Sequence, residues 1–225
     1  VTEALSFLDP INRLPGFRAG WIGRLDGIPV SSDRDETLAR LRPRHEEIVA
    51  REFGRDRWWR AEQVHGCGVA LVPDAATIAA GDGLPVVPGM DGLITRSPGE
   101  LLGIYVADCG AIWLADRGTG AVGMLHSGKK GSELGILTEA IRQMGVQFGT
   151  RPADLVVVLG PCIRPPDYEI DFAGEIARQA QAAGVGEFHD RGENTACDLS
   201  VYYSYRVEKG CTGRMLGLIV REETP

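Results

Sequence analysis

Three residues far apart in the chain carry side chains suited to holding a metal. Cys109 lies between the apolar runs Leu101 to Val106 and Ala111 to Ala115. His126 follows a third run, Ala121 to Leu125, and His65 follows a strand candidate spanning Arg57 to Val64. Short apolar runs bounded by Gly and polar residues read as buried strands. One thiol and two imidazoles therefore stand at strand ends, each beside a Gly or a Ser-Gly. Cys and His are the preferred ligands of zinc, and three protein ligands with an open fourth position is the catalytic form of that site. On position alone the plainer alternative stays open: a small buried cysteine and two structural histidines. Asp108 reads either as a residue orienting a ligand or as a turn residue bonding its own backbone.

Anion chemistry has its own candidates. Ser127-Gly128-Lys129-Lys130-Gly131-Ser132 joins flexible glycines, two lysines and the start of a helix, a combination that suits phosphate. The spacing of a P-loop is absent. Arg24, Arg206 and Arg214 are further cations for an anionic ligand, each equally readable as a surface charge. Gln63 precedes His65 by two residues, so in a strand both share a face and Gln63 can touch a substrate. Cys67, Cys162, Cys197 and Cys211 read as structural.

The elements that must position these residues are legible in outline. Phe17, Trp21 and Ile22 mark an early strand, and Asp26-Gly27 a turn. Ser31-Ser32-Asp33 looks like a helix cap, with acids at 35 and 36 where the helix dipole favours them. Leu38, Leu41, His45, Ile48, Val49 and Phe53 give the helix its apolar face, Pro43 is expected to kink or split it, and Gly54 ends it. Val69 to Val72 and Asp91 to Thr95 are short strands, with a loop from Pro73 to Met90 between them. Ser132 is expected to cap a helix that Gly145 stops. Leu155 to Leu159 reads as a central strand, Asp171 to Gly184 as a capped helix, 186–197 as loop, and Val201 to Tyr205 and Leu216 to Val220 as the last strands.

The whole chain sets bounds. Its 225 residues suffice for one large domain or two small ones. The net charge of −7 gives a nucleic-acid role no electrostatic support. No apolar run approaches the ~20 residues that span a bilayer, so no membrane partner is expected. Five dispersed cysteines without a CxxC pair argue against a disulfide framework and for a reducing cytoplasm.

Six short motifs occur in order: Gln63-Val64-His65-Gly66, Asp91-Gly92-Leu93-Ile94-Thr95, Ala107-Asp108-Cys109, His126-Ser127-Gly128, Leu159-Gly160-Pro161 with Tyr168-Glu169, and Tyr203-Ser204-Tyr205-Arg206 with Thr212-Gly213-Arg214. Together they resemble the YfiH/laccase-domain family, also called the multicopper polyphenol oxidase or peptidoglycan-editing-factor family. The resemblance runs from about residue 17 to the C-terminus and implies one α+β domain over 1–225, with mixed sheets in an αββα arrangement. It implies a zinc-dependent purine nucleoside phosphorylase with adenosine deaminase activity, its metal held by His65, Cys109 and His126. The same three residues become the catalytic set, with Arg24, Gln63, Lys129, Lys130 and Arg206 as contacts for the purine nucleoside and phosphate. The family's HAGWRG reads HSGKKG here, so Lys129 and Lys130 replace a Trp and an Arg. Lys is a point charge where Arg is a planar fork.

Three alternatives remain at this point. One is a copper polyphenol oxidase, which a chain with four His and no HxH pair suits poorly. Another is a metal-free hydrolase with Cys109 as nucleophile and His126 as base. The last is a diverged member that binds a nucleoside without turning it over.

Overall fold

The computed structural model describes residues 7–79 and 83–223. Among them, twelve strands form two six-stranded mixed sheets. The first sheet has the order β1 (Phe17–Ile22), β12 (Met215–Arg221), β7 (Leu102–Val106), β2 (Trp59–Ala61), β5 (Pro85–Val87), β4 (Ile78–Ala79). The second runs β11 (Glu187–Asp190), β10 (Leu155–Leu159), β8 (Gly110–Asp116), β9 (Val122–Ser127), β6 (Gly92–Thr95), β3 (Val69–Leu71). Helix α2 (Arg34–Phe53) covers the outer face of the first sheet, and α4 (Ile136–Phe148) and α5 (Phe172–Ala183) cover that of the second. Two shorter helices, α1 (Asp9–Asn12) and α3 (Lys129–Glu133), complete the αββα layers.

Strand alternation sorts the side chains into layers. In β8, Ala111, Trp113 and Ala115 face the space between the sheets, whereas Ile112 and Leu114 face the helices. β10 divides the same way, Val156 and Val158 inward, Leu155, Val157 and Leu159 outward. Strands buried on both faces read as unbroken apolar runs, which is why they were visible in the sequence. Trp113 ties the layers together: its indole N–H donates to the Leu218 carbonyl across the sheets at 2.8 Å. A Cβ at Gly217 would meet Met124 Cε at 2.3 Å and Trp113 Cζ2 at 2.7 Å, so only glycine allows this close approach.

Several expectations need correction. Helix α2 starts on the Asp33 cap, whose side chain accepts from Glu36 N, and ends at left-handed Gly54. It runs unbroken through Pro43, because the buried face of Thr37, Leu41, His45, Val49 and Phe53 holds both halves on the sheet. The 73–90 stretch contains β4 and β5; Val86 and Val87 are strand formers hidden by their Gly and Pro flanks. The 186–197 stretch contains β11, a half-buried edge strand whose charges leave no apolar pattern. Residues 201–205 form no strand but irregular chain between two turns, with Tyr203 anchored by its hydroxyl to Leu25. Ser132 does not cap a helix: α3 begins earlier, at Lys129, and Ser132 Oγ donates to Gly128 O within it. Left-handed Gly135 separates α3 from α4, which stops at Gly149 rather than Gly145.

Trp113→Phe removes the donor and puts a smaller ring in the core, leaving a buried carbonyl without its side-chain partner. We expect a loss of about 1–3 kcal/mol, seen as a lower urea midpoint with an unchanged slope.

Candidate metal centre

Three connections run from the first sheet to the second, β2 to β3, β5 to β6 and β7 to β8, and each delivers a residue of the cluster: His65, Asp91 and Cys109. The chain leaves β7 at Val106, turns through Ala107-Asp108-Cys109 and enters β8 in the other sheet. It leaves β2 at Ala61 and reaches β3 through Glu62 to Gly68, which carries His65. His126 comes from β9, where it pairs with Ala111 of β8 and so lies beside the Cys109 turn. It is inside the strand, not past its end. The ligand atoms of His65, Cys109 and His126 all lie within 4.8 Å of one another. The two imidazoles meet edge to face, ring centres 4.8 Å apart and planes at 82°.

Asp91 organises this cluster. It is fully buried immediately before β6. Its Oδ1 lies 2.8 Å from His126 Nδ1 and accepts the His65 backbone N–H at 2.9 Å. Its Oδ2 accepts from Gly66 N at 2.7 Å, and its carbonyl accepts from His126 N at 2.7 Å. An ionised carboxylate makes Nδ1 the donor, which leaves His126 Nε2 as the ligating nitrogen. Gly128 clears the other side: a Cβ there would stand 2.7 Å from Cys109 Sγ.

Electrostatics prepare the thiol. Burial opposes ionisation of Cys109, but His126 and then His65 outweigh it and bring the thiol down to about 6. Burial likewise opposes charge on His126, yet Cys109 and Asp91 raise it to about 9. Burial also works against the Asp91 carboxylate, and the bonds from His126, Gly66 and His65 hold it below its usual range. A thiolate, two imidazoles and a carboxylate behind one of them form a donor set of catalytic zinc type, so the residues present fit that ion.

The expected residues divide. Gln63 lines the cleft, but its amide is occupied: Nε2 donates to Tyr105 O at 2.5 Å and Oε1 accepts from Tyr105 N at 3.0 Å. Both Gln63 and His65 have left-handed backbones, φ 66° and 62°, so strand alternation does not apply to them. Lys129 and Arg206 line the cleft; Lys130 does not. Arg24 lies outside the lining, paired with Glu208 at 3.0 Å and stacked on Tyr203. Asp108 neither backs a ligand nor bonds its own turn. It accepts from Thr195 Oγ1 and Arg206 N, both at 2.7 Å, pinning two distant loops to the Cys109 crossover. Asp91 was in view as part of a strand motif without a chemical role, and Arg34, Tyr168, Tyr205 and Lys209 were not singled out for chemistry. An arginine in the first turn of a helix, opposed by the dipole, was the one available signal for Arg34.

The cleft around the cluster has a volume of about 760 Å³, within the range of small-molecule sites. Tyr168, Phe172 and Tyr205 supply aromatic walls. Arg34, Lys129, Arg206, Lys209 and Arg214 line it, against Asp108 as its acid.

Residues 11–174 and 170–222 match the family described as multi-copper polyphenol oxidoreductase laccase. The chain belongs to this family. Among its curated relatives, the purine nucleoside phosphorylase YlmD of Geobacillus stearothermophilus is 30% identical over 88% of this chain and 83% of its own. A purine nucleoside phosphorylase of Deinococcus radiodurans is 31% identical over 90% of this chain and 86% of its own. The crystal structure of YlmD from Geobacillus stearothermophilus aligns with a TM-score of 0.75 at 26% identity, covering 93% of each chain. That of the Bacillus licheniformis hypothetical protein YfiH aligns at 0.72 and 24% identity, over 82% of each, a likeness of fold. The copper implied by the family's description finds few donors. Of the four histidines, His45 lies on the buried face of α2 and His189 on β11, leaving two at the cluster.

Two outcomes follow. Asp91→Asn should weaken zinc binding about 10–100-fold, read by competition with a chromophoric chelator. In the metal-free protein, stability from Cys109 is complete above its ordinary 9.0 and is lost as pH falls through about 6. Stability from His126 is complete below its ordinary 6.5 and is lost as pH rises through about 9. The melting temperature of chelated protein should therefore peak between those limits and fall on both sides. Cys109→Ser should flatten both flanks, since the thiolate is also the chief group raising His126.

Proposed function

We propose that this chain is a cytoplasmic, zinc-dependent purine nucleoside phosphorylase, a single catalytic domain over 1–225. The observation that carries the reading is the His65, Cys109, His126 cluster, backed by Asp91, inside a cation-lined cleft. The names of the relatives agree with it. Among the described residues no helix is long and apolar enough to cross a membrane.

Zinc held by the three ligands supplies a Lewis acid at the wall of the cleft. The chain supplies the rest. Asp91 fixes the His126 tautomer and, through the backbone of His65 and Gly66, the height of the second imidazole. Tyr168, Phe172 and Tyr205 offer ring faces to a purine. Lys129 and Arg206 offer charge to phosphate, Arg206 being steadied by Glu169 at 2.6 Å and by the Tyr168 ring. In phosphorolysis the C1′–N9 bond breaks, a phosphate oxygen bonds to C1′, and the purine leaves with the electron pair and takes a proton. Positioning two reactants in one cleft is the main contribution such a site makes.

A second reading rests on the same thiol. The lowered Cys109 beside His126 is also the arrangement of a cysteine nucleophile and its base. One experiment separates the readings. Purified protein is incubated with inosine or adenosine, with and without phosphate, before and after chelation. We expect phosphate-dependent free base and ribose 1-phosphate, lost on chelation or in His126→Ala and restored to the chelated protein by zinc. Inosine from adenosine would add deamination at the same site. Nucleoside binding without any product would identify a non-catalytic member. Activity that survives chelation but not thiol alkylation would favour the hydrolase.

A further inference from the structure

Two of the cleft's arginines have no task in the scheme above. Arg34 is the first residue of α2, and Arg214 lies just before β12. Both line the cleft beside Gln63, Tyr105 and Tyr205. Among the described residues neither has a carboxylate within ion-pair distance. Arg34 reaches only the Glu62 carbonyl, through Nη1 and Nη2 at 3.3 Å each. Arg214 Nη1 reaches only the carbonyls of Thr212 and Gly213, at 3.2 and 2.8 Å. The two guanidiniums oppose each other's charge: Arg214 is pushed below the usual range by burial and then by Arg34. Lys209 adds a third cation to the same lining. Arg34 also stands in a helix first turn, where the backbone dipole already disfavours a positive charge.

Several other arginines of this chain stand beside an acid. Arg206 has Glu169, Arg164 has Asp190 and Arg117 has Glu187. In a chain of net charge −7, two mutually repelling guanidiniums left without an acid inside a cleft form a seat for a ligand's charge. Planar forks fit the tetrahedral oxygens of phosphate, each taking two. Carbonyl anchors orient a guanidinium without cancelling it.

We propose that Arg34 and Arg214 together seat a phosphate-type dianion in the cleft that Lys129 and Arg206 also line. The dianion has two sources of one chemistry: free inorganic phosphate, or the 5′-phosphate of a nucleotide whose base lies on the aromatic wall. The second source rests on the nucleoside reading above and widens its substrate class to nucleoside 5′-monophosphates. Phosphorolysis of these releases the base and ribose 1,5-bisphosphate, with inorganic phosphate as co-reactant and the same bonds broken and formed.

The test is equilibrium binding to zinc-loaded protein, measured by calorimetry with three separate probes: inorganic phosphate, adenosine and adenosine 5′-monophosphate. Wild type is compared with Arg34→Gln and Arg214→Gln, and with Arg34→Lys, which restores charge without the fork. If the seat takes a 5′-phosphate, the monophosphate binds at least about ten-fold tighter than adenosine, and Arg34→Gln removes that ratio. If it takes the co-substrate, the ratio is near one and inorganic phosphate affinity falls at least about ten-fold in Arg34→Gln. The proposal is overturned if neither phosphate nor monophosphate affinity changes in Arg34→Gln, a partly exposed helix-start position expected to fold. Absence of adenosine binding would count against the nucleoside reading instead, and inorganic phosphate would still decide the seat.

Discussion

The buried Asp91 carboxylate is the constraint on which the site depends. Its two oxygens and its carbonyl reach His126 twice, His65 and Gly66. A carboxylate with no exposure is costly unless its lone pairs are filled. Here the filling groups are the backbone of one ligand and the ring of another. Burying the acid and placing the imidazoles are therefore one event, and neither the His65 connection nor β9 can shift without unpairing a buried charge.

The layered architecture explains why such an anchor sits where it does. Two sheets packed face to face are joined here by chain segments that leave one and enter the other, and these crossovers lie at the rim of the shared core. Of the three that run from the first sheet to the second, one carries His65, one Asp91 and one Cys109, while β9 brings His126 alongside by its register with β8. The rim is where the apolar filling ends and polar groups meet solvent. Asp108 extends the arrangement outward by pinning the Thr195 and Arg206 loops, so the cleft walls are tied to the same turn as the thiol.

Charge is distributed against the bulk composition. The surface is net acidic, yet the cleft is lined mainly by cations. A concave, low-dielectric wall focuses that local field and favours anions whatever the total charge of the chain. Lys129 in this lining follows the Gly128 that gives Cys109 its room, so the departure from the family's Trp at that position bears on anion contact more than on metal contact.

Legible without the fold were the doubly buried strands, the caps at Ser31-Ser32-Asp33 and Asp171, the stops at Gly54 and Gly184, and the His65, Cys109 and His126 set that the fold brings together. Apolar runs, caps and left-handed glycines act locally, and the ligands stood out because Cys and His interrupt apolar runs. Weak strands such as Glu187–Asp190 were not legible, because an edge strand needs a neighbour's hydrogen bonds rather than an apolar pattern. The fate of Gln63, Arg24 and Lys130 was not legible either. Each is a polar residue of suitable type, and only the fold decides whether its polar atoms meet a ligand, a backbone or water. Tertiary structure alone supplied Asp91's role and the Arg34 and Arg214 pairing, since these depend on residues 26 to 35 and 180 positions apart being brought together by sheet pairing and loop closure.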